Sequence, residues 1–133
     1  MFIAYDVSLQ LIRSLRPLVP VLKKHDRDLA DQLRRAATSV ALNLGEGRRR
    51  AGGDQRRHYE IAHGSAGEVL TALDVARAWG YVVDDVDAKQ HLDRLLRTHW
   101  IKGGNTYRAE TAIPVVRDAQ PMPARAVARC QTT

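Results

Sequence analysis

The sequence predicts an all-α fold of four helical segments followed by an irregular tail. Three observations carry this. Apolar residues recur at helical spacing through four successive stretches. No alternating strand pattern with hairpin turns occurs between residues 1 and 101. Aromatic residues make up only 5% of the 133-residue chain while hydrophobic residues reach 44%. The core must then be aliphatic and alanine-rich, which suits closely packed helices better than a sheet. A chain of this length forms one domain with room for a real core.

The first segment runs from about Tyr5 to Lys24, with Val7, Leu11, Leu15, Leu18 and Leu22 on one side. Pro17 and Pro20 each remove a backbone donor, so a kink or break is expected there. The second runs from about Asp26 to Glu46. Asp26 or Asp28 is placed to cap its start, and Gly45 and Gly47 loosen its end. The third extends from about Gly53 to Trp79, with Gly80 as its stop. Tyr59, Ala62, Ala66, Val69, Leu70, Leu73 and Ala76 share an arc that Ile61, Ala72 and Trp79 widen. A helix that is apolar over about half its circumference has more than one neighbour, which points to contact with another subunit. The fourth runs from Asp84 or Asp85 to Ile101, with Ala88, Leu92, Leu95, Leu96 and His99 inward. Asp84, Asp85 and Asp87 crowd its start, where the helix dipole favours anions. Residues 1–104 are thus the helical domain. Residues 105–133, with Pro114, Pro121 and Pro123 and no sustained periodicity, form a basic tail, with a short ordered piece expected near Ile113 to Val116.

Asp31 to Arg50, DQLRRAATSVALNLGEGRRR, is the most specific stretch. At about 100° per residue, Leu29, Leu33, Ala36, Ala37, Val40 and Leu44 fall on one arc. Gln32, Arg35, Ser39, Asn43 and Glu46 fall on the next. A merely solvated face would carry interchangeable Lys and Glu. Short hydrogen-bonding side chains at fixed spacing mark a specified polar contact instead. Two readings are open: a ligand or RNA contact by Arg35, Asn43 and Glu46, or a polar network between the second and third helices. In the second reading Arg35 pairs with Glu68, and Ser39 or Asn43 bonds to the facing backbone. Complete satisfaction of buried polar groups would explain the strict spacing, and a buried ion pair would fix register more than stability.

The net charge is +6 and the isoelectric point about 10.0, a balance that calls for an anionic partner, with nucleic acid first. Arg48, Arg49, Arg50, Arg56 and Arg57 lie within ten residues, with Asp54 the one acid among them. Guanidinium groups make bidentate phosphate contacts. No aromatic residues are interleaved to stack bases, so the natural mode is backbone contact without sequence readout. Arg125 and Arg129 add to the charge from the tail. The same cluster read blandly is a solvated turn between helices.

Signals for chemistry are thin. Glu60 and His63 make a single Glu-x-x-His, whereas bundle di-metal sites need a second copy and further carboxylates. The glycines around Glu46 and Ser65 follow no strand and precede no Gly-Lys-Ser/Thr, so no phosphate loop is expected. Neither metal, cofactor nor catalytic residue is expected, and the protein is read as a non-enzyme. Cys130 is the single cysteine, which suits a reducing, cytoplasmic setting. No apolar run is long enough to span a membrane, and MFIAYDVSLQ has neither the basic nor the apolar region of a signal peptide.

The run Gln32-Leu33-Arg34-Arg35-Ala36-Ala37-Thr38-Ser39-Val40, then Asn43-Leu44-Gly45-Glu46-Gly47, then Tyr59-Glu60-Ile61-Ala62-His63-Gly64-Ser65 with Glu68 and Leu73, resembles the four-helix-bundle proteins encoded in 23S rRNA intervening sequences. That family includes the accessory variability determinant of diversity-generating retroelements. About ten positions match in order and spacing, within roughly residues 5–101. The chain differs at Gly45, where alanine is common, at Pro17 and Pro20, in carrying only Phe2 or Tyr5 as the aromatic of the first helix, and in its tail. The resemblance implies an up-down, left-handed four-helix bundle assembled as a ring-shaped homopentamer with no known catalytic activity. In the retroelement branch it implies a reverse transcriptase and its RNA as partners. The function expected is therefore a nucleic-acid-binding accessory ring contacting RNA or DNA through Arg48, Arg49, Arg50, Arg56, Arg57, Arg125 and Arg129. Gln32, Arg35, Ser39, Asn43, Glu46, Ser65 and Glu68 would hold the fold and assembly. The alternative is an oligomeric scaffold that docks an acidic protein, such as an enzyme encoded nearby.

Overall fold

Pro17 ends the first helix. A computed structural model describes residues 3–81 and 83–97, and in it α1 (Ile3–Leu15) and α2 (Leu18–His25) replace the single first segment. The Pro17 ring cannot donate to, and clashes with, the carbonyl four residues back, so the hydrogen-bond ladder stops after Arg16 N–H donates to the Ile12 carbonyl. Pro20 is tolerated because it is the third residue of α2, where backbone N–H groups have no helical partner to lose. The apolar side predicted for one helix survives the break: Val7, Leu11, Leu15, Leu18 and Leu22 are all buried.

Asp26 alone separates α2 from α3 (Arg27–Gly47). Its extended backbone turns the chain, and its Oδ1 accepts from the Leu29 N–H at 2.9 Å, capping α3. α4 (Gly52–Ala78) ends in a Schellman turn. The Tyr81 N–H donates to the Ala76 carbonyl and the Gly80 N–H to that of Arg77, each at 2.9 Å. Gly80 supplies the φ of +80° that this turn requires. α5 (Val86–Arg97) closes the described chain. Among the described residues there is no strand, and no helix is long and apolar enough to cross a membrane. His99, Cys130, the 105–133 tail with Arg125 and Arg129, and the ordered piece expected near Ile113 lie outside the described residues.

The most extensive packing is between α3 and α4. Ser39 meets Ser65, Asn43 meets His58 and the Gly47 carbonyl meets Gln55, so residue numbers rise on one helix as they fall on the other and the pair is antiparallel. α4 and α5 are antiparallel by the same test: His63 reaches Leu96, and Asp74 reaches Lys89. One core joins all five helices. It is aliphatic and alanine-rich, with Tyr59 the one aromatic among its buried members within the described residues. Ile61 and Trp79, which the sequence placed on the apolar arc of the third segment, remain exposed on α4 and at its end, Trp79 at 71%.

A buried carboxylate ties the α4–α5 connection. Asp85 is only 1% exposed. Its Oδ1 accepts from Arg77 Nη2 at 2.6 Å, and Lys89 Nζ lies 3.2 Å from Oδ2 and 2.9 Å from Asp74 Oδ1. A buried charge persists only when paired this way. Asp85→Ala is expected to cost about 2 kcal/mol, the range for hydrogen bonds to a charged group, less than for a fully buried pair because Arg77 can return to water. Urea denaturation with unchanged m-value would measure it.

Candidate nucleic-acid interface

The polar stripe of α3 divides by side-chain length. Ser39 Oγ and Ser65 Oγ share a hydrogen bond of 2.8 Å across the α3–α4 interface. The Asn43 amide donates to the Ser39 carbonyl at 2.9 Å and to its hydroxyl at 3.2 Å. Asn43 Oδ1 can only accept, so His58 donates to it through Nδ1 at 3.0 Å. The other ring nitrogen of His58 faces Asp54 at 4.0 Å. The polar contacts across this interface are thus made by hydroxyl, amide and imidazole groups. The Arg35–Glu68 pair expected within this network does not form. Both side chains are exposed, as is Gln32, and no ion pair joins Arg35 to Glu68. Charged groups on flexible stems keep their hydration at no cost on the outer face, whereas burial would have to be repaid in full. Arg34, Arg35, Thr38, Ser39, Leu42 and Asn43 line a shallow surface groove of about 320 Å³, with Leu42 67% exposed.

The arginine cluster sits on the turn from α3 to α4, and that turn is built from side chains. Gln55 Nε2 donates to the carbonyls of Gly47 at 3.1 Å and Arg50 at 2.9 Å. It adds a second donor to the Gly47 carbonyl, which also accepts from the Arg50 N–H at 3.1 Å, and satisfies the Arg50 carbonyl beyond the helix end. Gly52 takes φ +60° as α4 begins. Gly47 gives the closest approach: a Cβ there would lie 2.5 Å from Tyr59 Cε1 and 3.2 Å from His58 Cβ. Gly47→Ala is therefore expected to destabilise the protein by about 1–2 kcal/mol, an overpacking cost reduced by alanine's better helix propensity, and a lowered urea midpoint would show it. Burial also raises the Tyr59 phenol above its usual 10.0. The unfolded chain ionises first as pH climbs, so this contribution is intact below pH 10 and is lost as pH rises further through the folded-state value. Absorbance at 295 nm is expected to show the Tyr59 phenol ionising only above pH 10, as the fold loosens, and Tyr59→Phe is expected to remove that late phase.

The five arginines are not equivalent. Arg50 is held by Glu46 through both Nε and Nη2, with Asp54 Oδ2 at 3.6 Å. That bond lowers the Glu46 carboxyl below its ordinary range and raises the Arg50 guanidinium. Arg56 donates to Glu60 at 2.8 Å. Arg48 lies over the Tyr5 ring, 4.5 Å from its centroid. Arg49 and Arg57 are exposed and form no direct ion pair among the described residues, although Arg49 is near enough to Glu46 to help lower its carboxyl. The turn thus offers Arg48, Arg49 and Arg57 outward and spends Arg50 and Arg56 on neighbours one helical turn away. Two participants carried no signal in the sequence pattern: Gln55 and His58. Gln55 and His58 act on groups that only the α3–α4 pairing brings near.

Among the described residues no three His, Cys, Asp or Glu side chains gather as a metal ion needs. His63, the histidine of the Glu-x-x-His spacing, lies with its Nε2 3.3 Å from the Leu96 carbonyl. The family model of the 23S rRNA-intervening sequence protein matches residues 2–98, a span that takes in every described helix. The chain belongs to this family. No curated protein matches it significantly. In this 23S rRNA-intervening sequence protein, the turn at Arg48 to Arg57 presents three arginines, Arg48, Arg49 and Arg57, that form no ion pair among the described residues.

Proposed function

We propose that this protein is a non-enzymatic accessory protein that binds RNA or DNA through the phosphate backbone and acts as a homo-oligomeric ring in the cytoplasm. The observation that carries this reading is the turn between α3 and α4, where Arg48, Arg49 and Arg57 face outward without carboxylate partners among the described residues in a chain of net charge +6. The family's description, which names 23S rRNA, points the same way. Arg125 and Arg129 would add contacts. We read α1 and α2 as one helix broken at proline, so that five segments build a left-handed, up-down four-helix bundle.

Self-association is supported by what α3 and α4 leave uncovered. Leu42, Ile61, Val75 and Trp79 are exposed apolar residues on or beside these two helices. We place a homopentamer's subunit contacts there, which would set five arginine turns around one rim and multiply the phosphate contacts. Fluorescence anisotropy of labelled RNA and DNA against graded salt tests the binding. Affinity is expected to fall linearly on a log–log plot, by about 0.7–0.9 per phosphate neutralised. Absence of salt-sensitive binding at low ionic strength sinks the reading.

The groove at Arg34, Arg35 and Leu42 favours a second reading, a scaffold docking an acidic protein, for example a neighbouring-gene enzyme such as a reverse transcriptase. An exposed leucine between arginines suits a protein surface better than a phosphate chain. Affinity capture after nuclease digestion separates the two: a protein retained by the digested complex supports the scaffold.

A further inference from the structure

We infer that Tyr5 is a positioning residue for phosphate recognition: seated on Gly45, its ring holds the Arg48 guanidinium in place before the anion arrives. This rests on the nucleic-acid reading above and assigns a distinct task to one arginine of that site. The five arginines fall into three states. Arg50 and Arg56 are immobilised by carboxylates, which neutralise their charge and compete with any phosphate. Arg49 and Arg57 keep their charge and their rotamer freedom, and part of that freedom must be surrendered on binding. Of the five, Arg48 is the one held by a neutral group. Its guanidinium carbon lies 4.5 Å from the Tyr5 centroid. A ring face attracts the cation without supplying a hydrogen-bond acceptor, and among the described residues no carboxylate pairs with Arg48. The guanidinium is thus ordered with its charge intact.

The seat for the ring is a feature of this chain. A Cβ on Gly45 would come 3.3 Å from Tyr5 Cε2 and 3.8 Å from Cδ2, so the ring rests against the α3 backbone itself. Gly45 and Arg48 are three residues apart at the end of α3, hence on one face. Arg48 closes α3 in helical conformation with its N–H on the Leu44 carbonyl at 3.2 Å, which fixes the root of its side chain above the ring. Alanine at position 45 would force the ring outward by a few tenths of an ångström.

The test is a double-mutant cycle with Tyr5→Leu and Arg48→Ala, read by anisotropy of a labelled single-stranded RNA at graded salt, with Tyr5→Phe as the conservative variant. Tyr5→Leu is expected to weaken binding about two- to five-fold, the scale of an exposed cation–ring contact, without altering the salt slope, because no charge is removed. Arg48→Ala lowers the slope by about 0.7 for each phosphate it leaves unneutralised. Tyr5→Phe binds like the wild type, and Tyr5→Leu has no further effect once Arg48 is alanine. The Arg48 side-chain NεH resonance, shifted by the ring current in the wild type and in Tyr5→Phe, is expected to return to an unshifted position in Tyr5→Leu. The inference is overturned if Tyr5→Leu binds like the wild type, or weakens binding equally in the Arg48→Ala background, which would mark a purely structural role. In either case salt-sensitive binding by the wild type leaves the nucleic-acid reading standing. Its absence in the wild type overturns both.

Discussion

Leu33→Ala is expected to cost about 3 kcal/mol or more and to lower the melting temperature by roughly 12 °C or more, whereas Leu42→Ala, further along the same helix, leaves stability within about 0.5 kcal/mol of the wild type. Leu33 is fully buried and Leu42 is 67% exposed. Removing three carbons from a closed core forfeits their transfer free energy and leaves a cavity that the neighbours fill only in part, which places Leu→Ala in cores at about 2–5 kcal/mol. Values of about 3 kcal/mol and above within that range are appropriate, because α3 packs against α1, α2 and α4 and cannot collapse toward one without leaving another. Each kcal/mol moves the midpoint by about 4–8 °C in a domain of this size. Leu42 gives up nothing comparable on folding, since it stays in water as a monomer. If its face is the subunit contact, Leu42→Ala should instead shift sedimentation toward smaller species. Equal destabilisation by the two substitutions would contradict the burial on which the fold rests.

The same contrast explains which parts of the molecule could be read in the chain. Leu11, Leu33, Val40, Leu73 and Leu92 repeat at helical spacing because each helix has one dominant inward face, and periodicity reports that face directly. The capping Asp26, the stop at Gly80 and the break at Pro17 are local chemistry, decided within a turn of helix, and were legible for that reason. Pairing across helices was not. Ser39 and Ser65 are 26 positions apart, and nothing in either segment says that two hydroxyls meet while Arg35 and Glu68 turn outward. What decides it is tertiary: a long charged side chain keeps its hydration on the outer face, whereas a hydroxyl can be satisfied by one partner across the helix pair. The arginine cluster was half legible. Its charge is visible in the residues from 48 to 57, but the division into spent and available guanidinium groups depends on which carboxylate falls one turn away. Glu46 and Glu60 stand four residues from Arg50 and Arg56, a spacing present in the sequence that a count of charges overlooks. The Tyr5 seat on Gly45 joins two distant helices and had no sequence signature beyond the unusual glycine.

Arg49→Ala combined with Arg57→Ala is expected to weaken RNA or DNA binding roughly forty-fold at about 0.1 M salt and to reduce the salt slope by about 1.6, as two phosphates go unneutralised at roughly 0.8 each. Neither arginine forms a direct ion pair among the described residues, and Glu46, which feels Arg49 at a distance, stays bound to Arg50, so the change removes phosphate-binding groups without breaking a salt bridge. Arg56→Ala with Glu60→Ala is the matched control. It deletes a guanidinium from the same turn together with the carboxylate that occupies it at 2.8 Å, keeps the net charge, and should leave affinity within about two-fold, as expected for a screened surface pair. A second control separates location from charge. Arg13 and Arg16 are exposed at the far end of α1 and form no ion pair among the described residues, and replacing both lowers the net charge by the same amount. If charge alone governed association, Arg13→Ala with Arg16→Ala would match the loss seen at the turn. The site reading requires instead that the turn variant lose at least several times more affinity, and that its salt slope fall while that of the α1 variant stays close to wild type. Equal losses in the two variants would reduce the interface to a diffuse positive field and remove the turn from the mechanism.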